Sequence, residues 1–473
     1  MAQVEIGLIG LGVMGANLAL NIAEKGFKIA VFNRTGTVTD TFAANAGALR
    51  DQIVPCKSLA EFAAAIRPPR PVIIMVKAGE PVDEQISALR QLLARDDIII
   101  DAGNANFRDT IRRFAELDGS GLTFIGMGVS GGEEGARHGP SIMVGGAEAS
   151  YRRIEPVLSA ISAKYQGEDC VAWLGPGGAG HFVKTLHNGI EYADMQMIAE
   201  IYGILRDGLG LGAKEIGKIF ARWNAGRLNS FLIEITATVL AADDPKTGKP
   251  VADIILDRAG QKGTGRWAVI EAQMMGVPAT AIEAAVAARS LSAMKAEREA
   301  AERAYALAPQ RMSLPDRDGF IGQLELALFA GKIAAYAQGF AVMEAASREF
   351  GWNLPMATIA KIWRAGCIIR SQFLDTIAQA FTAQAEVSNL LVTPAFVAMM
   401  CEAHPALRGV VSQAALAGAP VPALSAALGY FDAYRQGRGT TNLIQAQRDF
   451  FGAHSFERIG EAGAHHGPWG SRN

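Results

Sequence analysis

At 473 residues the chain is about three times an ordinary domain, so it should divide into two or three domains, and a small disulfide-stapled module is excluded. Half of its residues are hydrophobic and 19% are charged, which excludes wholesale disorder. With 45 Lys and Arg against 47 Asp and Glu the net charge is −2, so no global field gathers nucleic-acid phosphates or an anionic membrane, and any anion must be bound by local clusters.

The predicted elements begin with an apolar run, Val4 to Ile9, that leads straight into Gly10-Leu11-Gly12-Val13-Met14-Gly15 and a helical pattern from Asn17 to Glu24. Glu5 and Gly7 interrupt what would otherwise read as a signal-peptide core, so export is not expected. In a G-x-G-x-x-G the glycines permit the turn, let a pyrophosphate reach the backbone and bring helix against strand. The same string could form only a Gly-rich turn, but strand, helix and a second strand, Ile29 to Phe32, stand in the order a dinucleotide site requires. Asn33-Arg34-Thr35 then occupies the place where an NAD enzyme usually carries an acid for the ribose hydroxyls. A guanidinium and two small donors would hold a 2′-phosphate that an acid would repel, so the expected cofactor is NADP.

Further runs, Val72 to Val76, Ile98 to Ile100, Phe124 to Met127 and Ser141 to Val144, continue the alternation. They predict an α/β, Rossmann-like domain over residues 1–178 with a largely parallel sheet. The loop Ser130-Gly131-Gly132-Glu133-Glu134-Gly135-Ala136-Arg137 offers backbone N–H groups to a carboxylate or hydroxyls, or is a plain turn. After the breaker cluster from Gly175 to Gly180, Ala-rich segments of helical period run to about residue 434, so the second domain, 179–434, should be all-α. A repeat at a spacing of 140 points to a duplicated helical unit: Trp223-Asn224-Ala225-Gly226 answers Trp363-Arg364-Ala365-Gly366, and Ser230-Phe231-Leu232 is echoed by Ser371-Gln372-Phe373-Leu374.

The first helix of that domain places Lys184, His187, Asn188 and Glu191 at i, i+3, i+4 and i+7, so one face presents an amine, an imidazole, an amide and a carboxylate. A solvated stripe stabilised by its own charge pairs is the ordinary explanation of such a face. The repeat argues against it, because the counterparts Leu324, Ala327, Leu328 and Gly331 carry none of these groups. A second loop, Gly260-Gln261-Lys262-Gly263-Thr264-Gly265, is flexible and basic and suits an anion, or is again a turn. The tail, 435–473, has a short helical pattern and the string Gln447-Arg448-Asp449-Phe450-Phe451-Gly452-Ala453-His454; unable to fold alone, it needs a surface, its own or a neighbour's.

Cys56, Cys170, Cys367 and Cys401 lie far apart with no CxxC, and buried thiols in a reducing cytoplasm are expected. The pair His465-His466 has no nearby acid or Cys, so no metal is expected. Lys332 and Gln338 break the Ala-rich stretch from Leu324, so no membrane span is expected and the chain should be soluble.

The strings GLGVMG at Gly10, NRT at Asn33, VKAG at Val76, DAGN at Asp101, SGGEEGAR at Ser130, GAGHFVKTLHNGIEY at Gly178, GQKGTG at Gly260 and AQRDFFGAH at Ala446 make the chain resemble the decarboxylating 6-phosphogluconate dehydrogenase family nearly end to end. Related 3-hydroxyacid dehydrogenases share the first domain and a lysine but lack the duplicated helical part and the tail. The resemblance implies oxidative decarboxylation of 6-phosphogluconate to ribulose 5-phosphate with reduction of NADP, in the pentose phosphate pathway. It also implies a cytoplasmic homodimer with shared active sites and no nucleic-acid or membrane partner. By motif it implies NADP contacts at Gly10, Leu11, Gly12, Val13, Met14, Gly15, Asn33, Arg34, Thr35, Val76, Lys77, Ala78 and Asn104. Lys184 would be the proton acceptor and Glu191 the proton donor. Substrate contacts would be Asn104, Ser130, Gly131, Gly132, His187, Asn188, Tyr192, Lys262 and Arg289, with Arg448 and His454 reaching in from the partner subunit.

Departures from the family's pattern at Pro176, Gly177, Ala193 and Arg266 remove no catalytic group, while the ending His465-His466-Gly467-Pro468-Trp469 leaves the tail's final contacts open. Two other readings make different demands on the sequence. An enzyme for another 3-hydroxy acid needs the lysine and the cofactor site but no phosphate cluster; a non-catalytic NADPH sensor needs neither Lys184 nor Glu191.

Overall fold

A computed structural model describes residues 3–307 and 310–469, and the N-terminal part is built on one eight-stranded sheet. In chain order the strands are β1 (Ile6–Ile9), β2 (Ile29–Phe32), β3 (Ile53–Pro55), β4 (Pro71–Ile74), β5 (Ile98–Asp101), β6 (Thr123–Val129), β7 (Ile142–Gly146), a small hairpin of β8 (Lys164–Tyr165) and β9 (Glu168–Asp169), and β10 (Val171–Gly175). Across the sheet the order is β10-β7-β6-β5-β4-β1-β2-β3, parallel throughout except where β6 meets β7. The α/β expectation holds, and its physical mark is burial on both faces: Ile6 and Leu8 of β1 enter one core and Ile9 the other. Between β1 and β4 the strand order reverses, which opens a crevice at their carboxyl ends where sheets of this kind bind ligands. Two strands of the sheet, β3 and β10, are additional to the runs the sequence showed. They form its two edges; one is three residues long and ends in Pro55, and the other ends in a glycine-rich turn, so neither carries a strong local signal.

From Ala179 to Tyr434 the described residues form helices and loops with no strand, as expected. The duplication is visible as matched helices: Ala179–Gly203 with Arg317–Glu349, Ala213–Asn224 with Met356–Ile362, and Phe231–Ala241 with Phe373–Ala383. The copies meet at equivalent points, where Phe231 N–H donates to Arg370 O (3.1 Å) and Gln372 N–H to Asn229 O (3.2 Å). Trp223 and Trp363 are both buried.

The two long helices pack on each other and are pinned by Lys332 Nζ and Asp194 Oδ2, 2.5 Å apart, with both side chains buried. Deleting one partner of such a pair costs on the order of 3–5 kcal/mol, because a buried charge is left unpaired. Gln338 likewise accepts from Ala281 N–H at 3.0 Å. These groups do not shorten the apolar stretch as expected: Arg317–Glu349 is long and apolar enough to cross a membrane, but 89% of its most apolar window is buried inside the protein.

The chain forms two compact units, Met1–Ala427 and Leu428–Asn473. The second contains the helix Thr441–Gly452 and an antiparallel pair, β11 (Phe456–Arg458) and β12 (Glu461–His465), which its polar sequence did not announce.

Candidate active site

The Ala179–Gly203 helix begins directly on the backbone of β6 and β7. A Cβ at Gly128 of β6 would lie 2.5 Å from Lys184 Cβ, so the missing side chain is what lets the helix settle and places Lys184 over the sheet. Most of the polar face is consequently withdrawn from water: Lys184 is 7% exposed, His187 0% and Asn188 7%, with the Glu191 side chain 20% exposed at its far end. This excludes the solvated-stripe reading. The four side chains form one connected group. Lys184 Nζ donates to Asn188 Oδ1, and His187 Nδ1 lies 3.1 Å from the same oxygen and 3.8 Å from Glu191 Oε2.

Burial determines the protonation of this group. Desolvation lowers the Lys184 pKa below the ordinary lysine value, against the opposing attraction of Glu191 and Cys367. It raises the Glu191 pKa above the usual carboxyl value, against Lys184 and Arg289. Desolvation, and then Lys184, push His187 well down, so its ring is neutral. The arrangement thus disfavours the ammonium of Lys184 and the carboxylate of Glu191 on one helical face, the directions in which a base and an acid must be shifted to exchange protons near neutral pH.

The walls come from three parts of the chain. Ser130, after β6, places Oγ 3.2 Å from His187 Nε2. Thr264, at the start of the Thr264–Met274 helix, accepts from Asn188 Nδ2 at 2.9 Å. Trp363, from the second helical copy, stands edge-on to the His187 ring at 5.4 Å, and Cys367, its thiol pushed up to about 12 by burial, is near enough to Lys184 to act on its charge. Thr264, Trp363 and Cys367 were not singled out as site residues, since only packing brings them to Lys184. Arg289 lies over the Tyr192 ring at 3.8 Å and pairs with no carboxylate among the described residues, while Lys262 is exposed on its loop. Arg448 and His454 belong to the separate unit 428–473.

At the sheet's crevice the Val13–Glu24 helix starts without a side-chain cap, so its first N–H groups are free for an anion. A Cβ at Gly15 would lie 1.9 Å from Gly10 O, which is why helix and strand can approach. A cavity of about 660 Å³ runs from Gly12, Val13, Met14 and Gly15 past Val76, Lys77 and Ala78 to Asn104 and Lys262. A second, of about 310 Å³, is bounded by Gly10, Asn33, Arg34, Thr35 and Glu84 and shares Val76 and Lys77 with the first. Asn33 turns its Oδ1 to Leu11 N–H at 3.1 Å, so it braces the glycine turn, whereas Arg34 is exposed and pairs with no carboxylate among the described residues. Beneath both loops, buried Arg113 bonds Gly79 O (3.0 Å), Asp83 (2.7 Å) and Asp101 (3.1 Å), and Asp101 accepts from Gly103 N–H (3.1 Å). These features fit a dinucleotide carrying a 2′-phosphate.

Residues 5–175 match the NAD binding domain of 6-phosphogluconate dehydrogenase, and residues 180–469 match the 6-phosphogluconate dehydrogenase C-terminal domain. A Bacillus subtilis NADP(+)-dependent, decarboxylating 6-phosphogluconate dehydrogenase is 48% identical, covering 99% of this chain and 100% of the relative. An NAD(+)-dependent relative from the same organism is 46% identical, with 98% and 99% covered. The structure of Plasmodium falciparum 6-phosphogluconate dehydrogenase, described in apo form and in complexes with NADP+ and with 6-phosphogluconate, superposes with a TM-score of 0.94 at 40% identity over 98% of this chain and 100% of that one.

Gly128→Ala should lower kcat/KM on the order of 100-fold by displacing Lys184, with dinucleotide affinity unchanged in a fluorescence titration. Unchanged turnover would show that this contact does not place the lysine.

Proposed function

The chain belongs to the 6-phosphogluconate dehydrogenase family, and from that premise we propose how its residues perform the family's reaction, the oxidative decarboxylation of 6-phospho-D-gluconate to D-ribulose 5-phosphate and CO2 with reduction of NADP. The observation that carries the assignment is the inverted pair on one helix, Lys184 with its ammonium disfavoured and Glu191 with its carboxylate disfavoured.

Bound NADP supplies the hydride acceptor. Neutral Lys184 takes the proton of the C3 hydroxyl as the C3 hydrogen departs with its electron pair. The 3-keto acid then loses CO2 because its carbonyl receives the electrons of the breaking C1–C2 bond, and the Lys184 ammonium, braced by Asn188, steadies the developing oxyanion. Glu191 in its acid form delivers a proton to C1 of the enediol. Ser130, Gly131, Gly132, Asn104, His187, Asn188 and Tyr192 orient the sugar acid, and Lys262, Arg289, Arg448 and His454 receive its phosphate end. With both ring nitrogens already engaged, His187 serves the substrate chiefly by holding Ser130 and Asn188 in register. Gly10, Leu11, Gly12, Val13, Met14 and Gly15 together with Val76, Lys77, Ala78 and Asn104 would hold NADP, Arg34 and Thr35 would receive its 2′-phosphate, and Asn33 braces the turn.

We further propose a cytoplasmic homodimer in which residues 1–178 hold the cofactor, 179–434 hold the catalytic helix and the dimer contact, and 435–473 complete the partner's site. Supporting this are the exposed apolar residues Leu443, Ile444, Phe450 and Phe451 of the tail, and the buried free thiols Cys56, Cys170 and Cys367, which suit a reducing compartment.

NADPH absorbance and released CO2, followed together with 6-phosphogluconate, should rise in equal amounts. Lys184→Met should reduce both on the order of 10²- to 10⁴-fold while NADP binding persists. The profile of kcat/KM against pH should fall on the acid side as Lys184 gains its proton and on the alkaline side as Glu191 loses its own. Glu191→Gln should remove the alkaline limb from the residual activity, and a retained limb would assign that proton elsewhere. Arg34→Asp should shift the NADP-to-NAD ratio of kcat/KM towards NAD on the order of 10- to 100-fold, the loss of a charge-assisted bond. A retained NADP preference would place the 2′-phosphate on other groups. Co-expressed Lys184→Met and Arg448→Ala chains should recover about a quarter of wild-type activity, because half of randomly paired dimers carry one intact shared site. No recovery would make each site the property of one chain.

A further inference from the structure

In the tail, Asp449 is the one acid of the Arg448-to-His454 string, and its side chain is fully buried. Both of its oxygens are saturated. Oδ1 accepts from Ser455 N–H (2.9 Å) and faces His466 Nδ1 (2.6 Å), while Oδ2 accepts from Gly467 N–H (2.9 Å) and Trp469 Nε1–H (2.7 Å). One carboxylate therefore gathers the end of the Thr441–Gly452 helix, the turn after it and the irregular segment following β12. We propose that Asp449 is a positioning residue for the reaction, a lock that folds the tail so that Arg448 and His454 are presented to the substrate. The proposal rests on the reading that those two residues bind substrate.

The backbone makes the need for a lock specific. His454 stands between Ala453 and Ser455, both in the left-handed region at φ 50° and 59°, where non-glycine residues are disfavoured and persist only when their surroundings hold them. Ser455 is held by its N–H on Asp449 Oδ1, and Ala453 N–H closes on Asp449 O at 2.9 Å. Arg448 precedes Asp449 on the helix and is steadied by Gln445 Oε1 at 3.0 Å. The Gly467 N–H, then Trp469, His466 and Ser455, keep the Asp449 carboxyl well below the usual range, so it is charged wherever the enzyme works. Three of the four donors, His466, Gly467 and Trp469, come from the ending that departs from the family's pattern, which gives that ending a task.

The full-length enzyme tests this through Asp449→Asn, Trp469→Phe, the double variant and Arg448→Ala. Asp449→Asn should raise the KM for 6-phosphogluconate about tenfold or more, with a smaller change in kcat and an unchanged KM for NADP. Trp469→Phe should move the same constant in the same direction, and the double variant should fall short of the product of the single effects, because both changes open one lock. Multiplying effects would overturn the proposal, as would a loss spread evenly over the constants for both substrates. If Asp449→Asn fails to fold, Trp469→Phe decides alone, and an unchanged substrate KM overturns the lock. Arg448→Ala separates the two readings: no rise in substrate KM there would remove Arg448 from the substrate, whereas a rise there without one in Asp449→Asn would sink only the role of Asp449.

Discussion

The structure depends on taking one lysine out of water. Lys184 can act as a base near neutral pH only if its ammonium is disfavoured, and desolvation is the force that does this, at a cost in folding stability that the surroundings must offset. The offset is visible around it. Asn188 accepts its hydrogen bond, Thr264 anchors Asn188, Ser130 and Trp363 hold the ring of His187, and Gly128 gives up a side chain so that the helix can close on the sheet. The same burial raises Glu191, so one physical cause disfavours the charged form of both groups.

The duplicated helical unit gains its meaning from that requirement. The first copy carries the polar face; in the second, the equivalent positions Leu324, Ala327, Leu328 and Gly331 are buried packing. The second copy is nevertheless more than filler, because its Trp363 and Cys367 close the wall beside His187 and Lys184. Lys332 and Asp194 lock the two long helices in register, so the wall cannot slide relative to the polar face without stranding a buried charge.

A parallel division of labour runs through the cofactor crevice. The residues facing it are the fingerprint glycines and side chains such as Met14, Lys77, Asn104 and the exposed Arg34, whereas the group that fixes two of its loops, Arg113, is hidden and touches neither cavity. Its bonds to Gly79, Asp83 and Asp101 tie together the loops after β4 and β5. A rigid crevice lowers the cost of ordering the loops when an anionic ligand enters.

Much of this was legible without coordinates, because it is written in local patterns. The glycine fingerprint after an apolar run, the alternation of short strands and helices, the helical spacing of Lys184, His187, Asn188 and Glu191, and the repeat marked by Trp223 and Trp363 each occupy a short window of chain. The edge strands β3 and β10 and the pair β11 and β12 escaped because their signal is a few residues long and depends on a neighbour to pair with. The order of residues states which chemical groups are present and which of them share a helix face. That Lys184, His187 and Asn188 are shut away from water, that Gly128 makes room for them and that Trp363 and Thr264 complete the site emerges from packing between distant segments. Desolvation is a property of everything packed around a group, and no spacing along the chain encodes it.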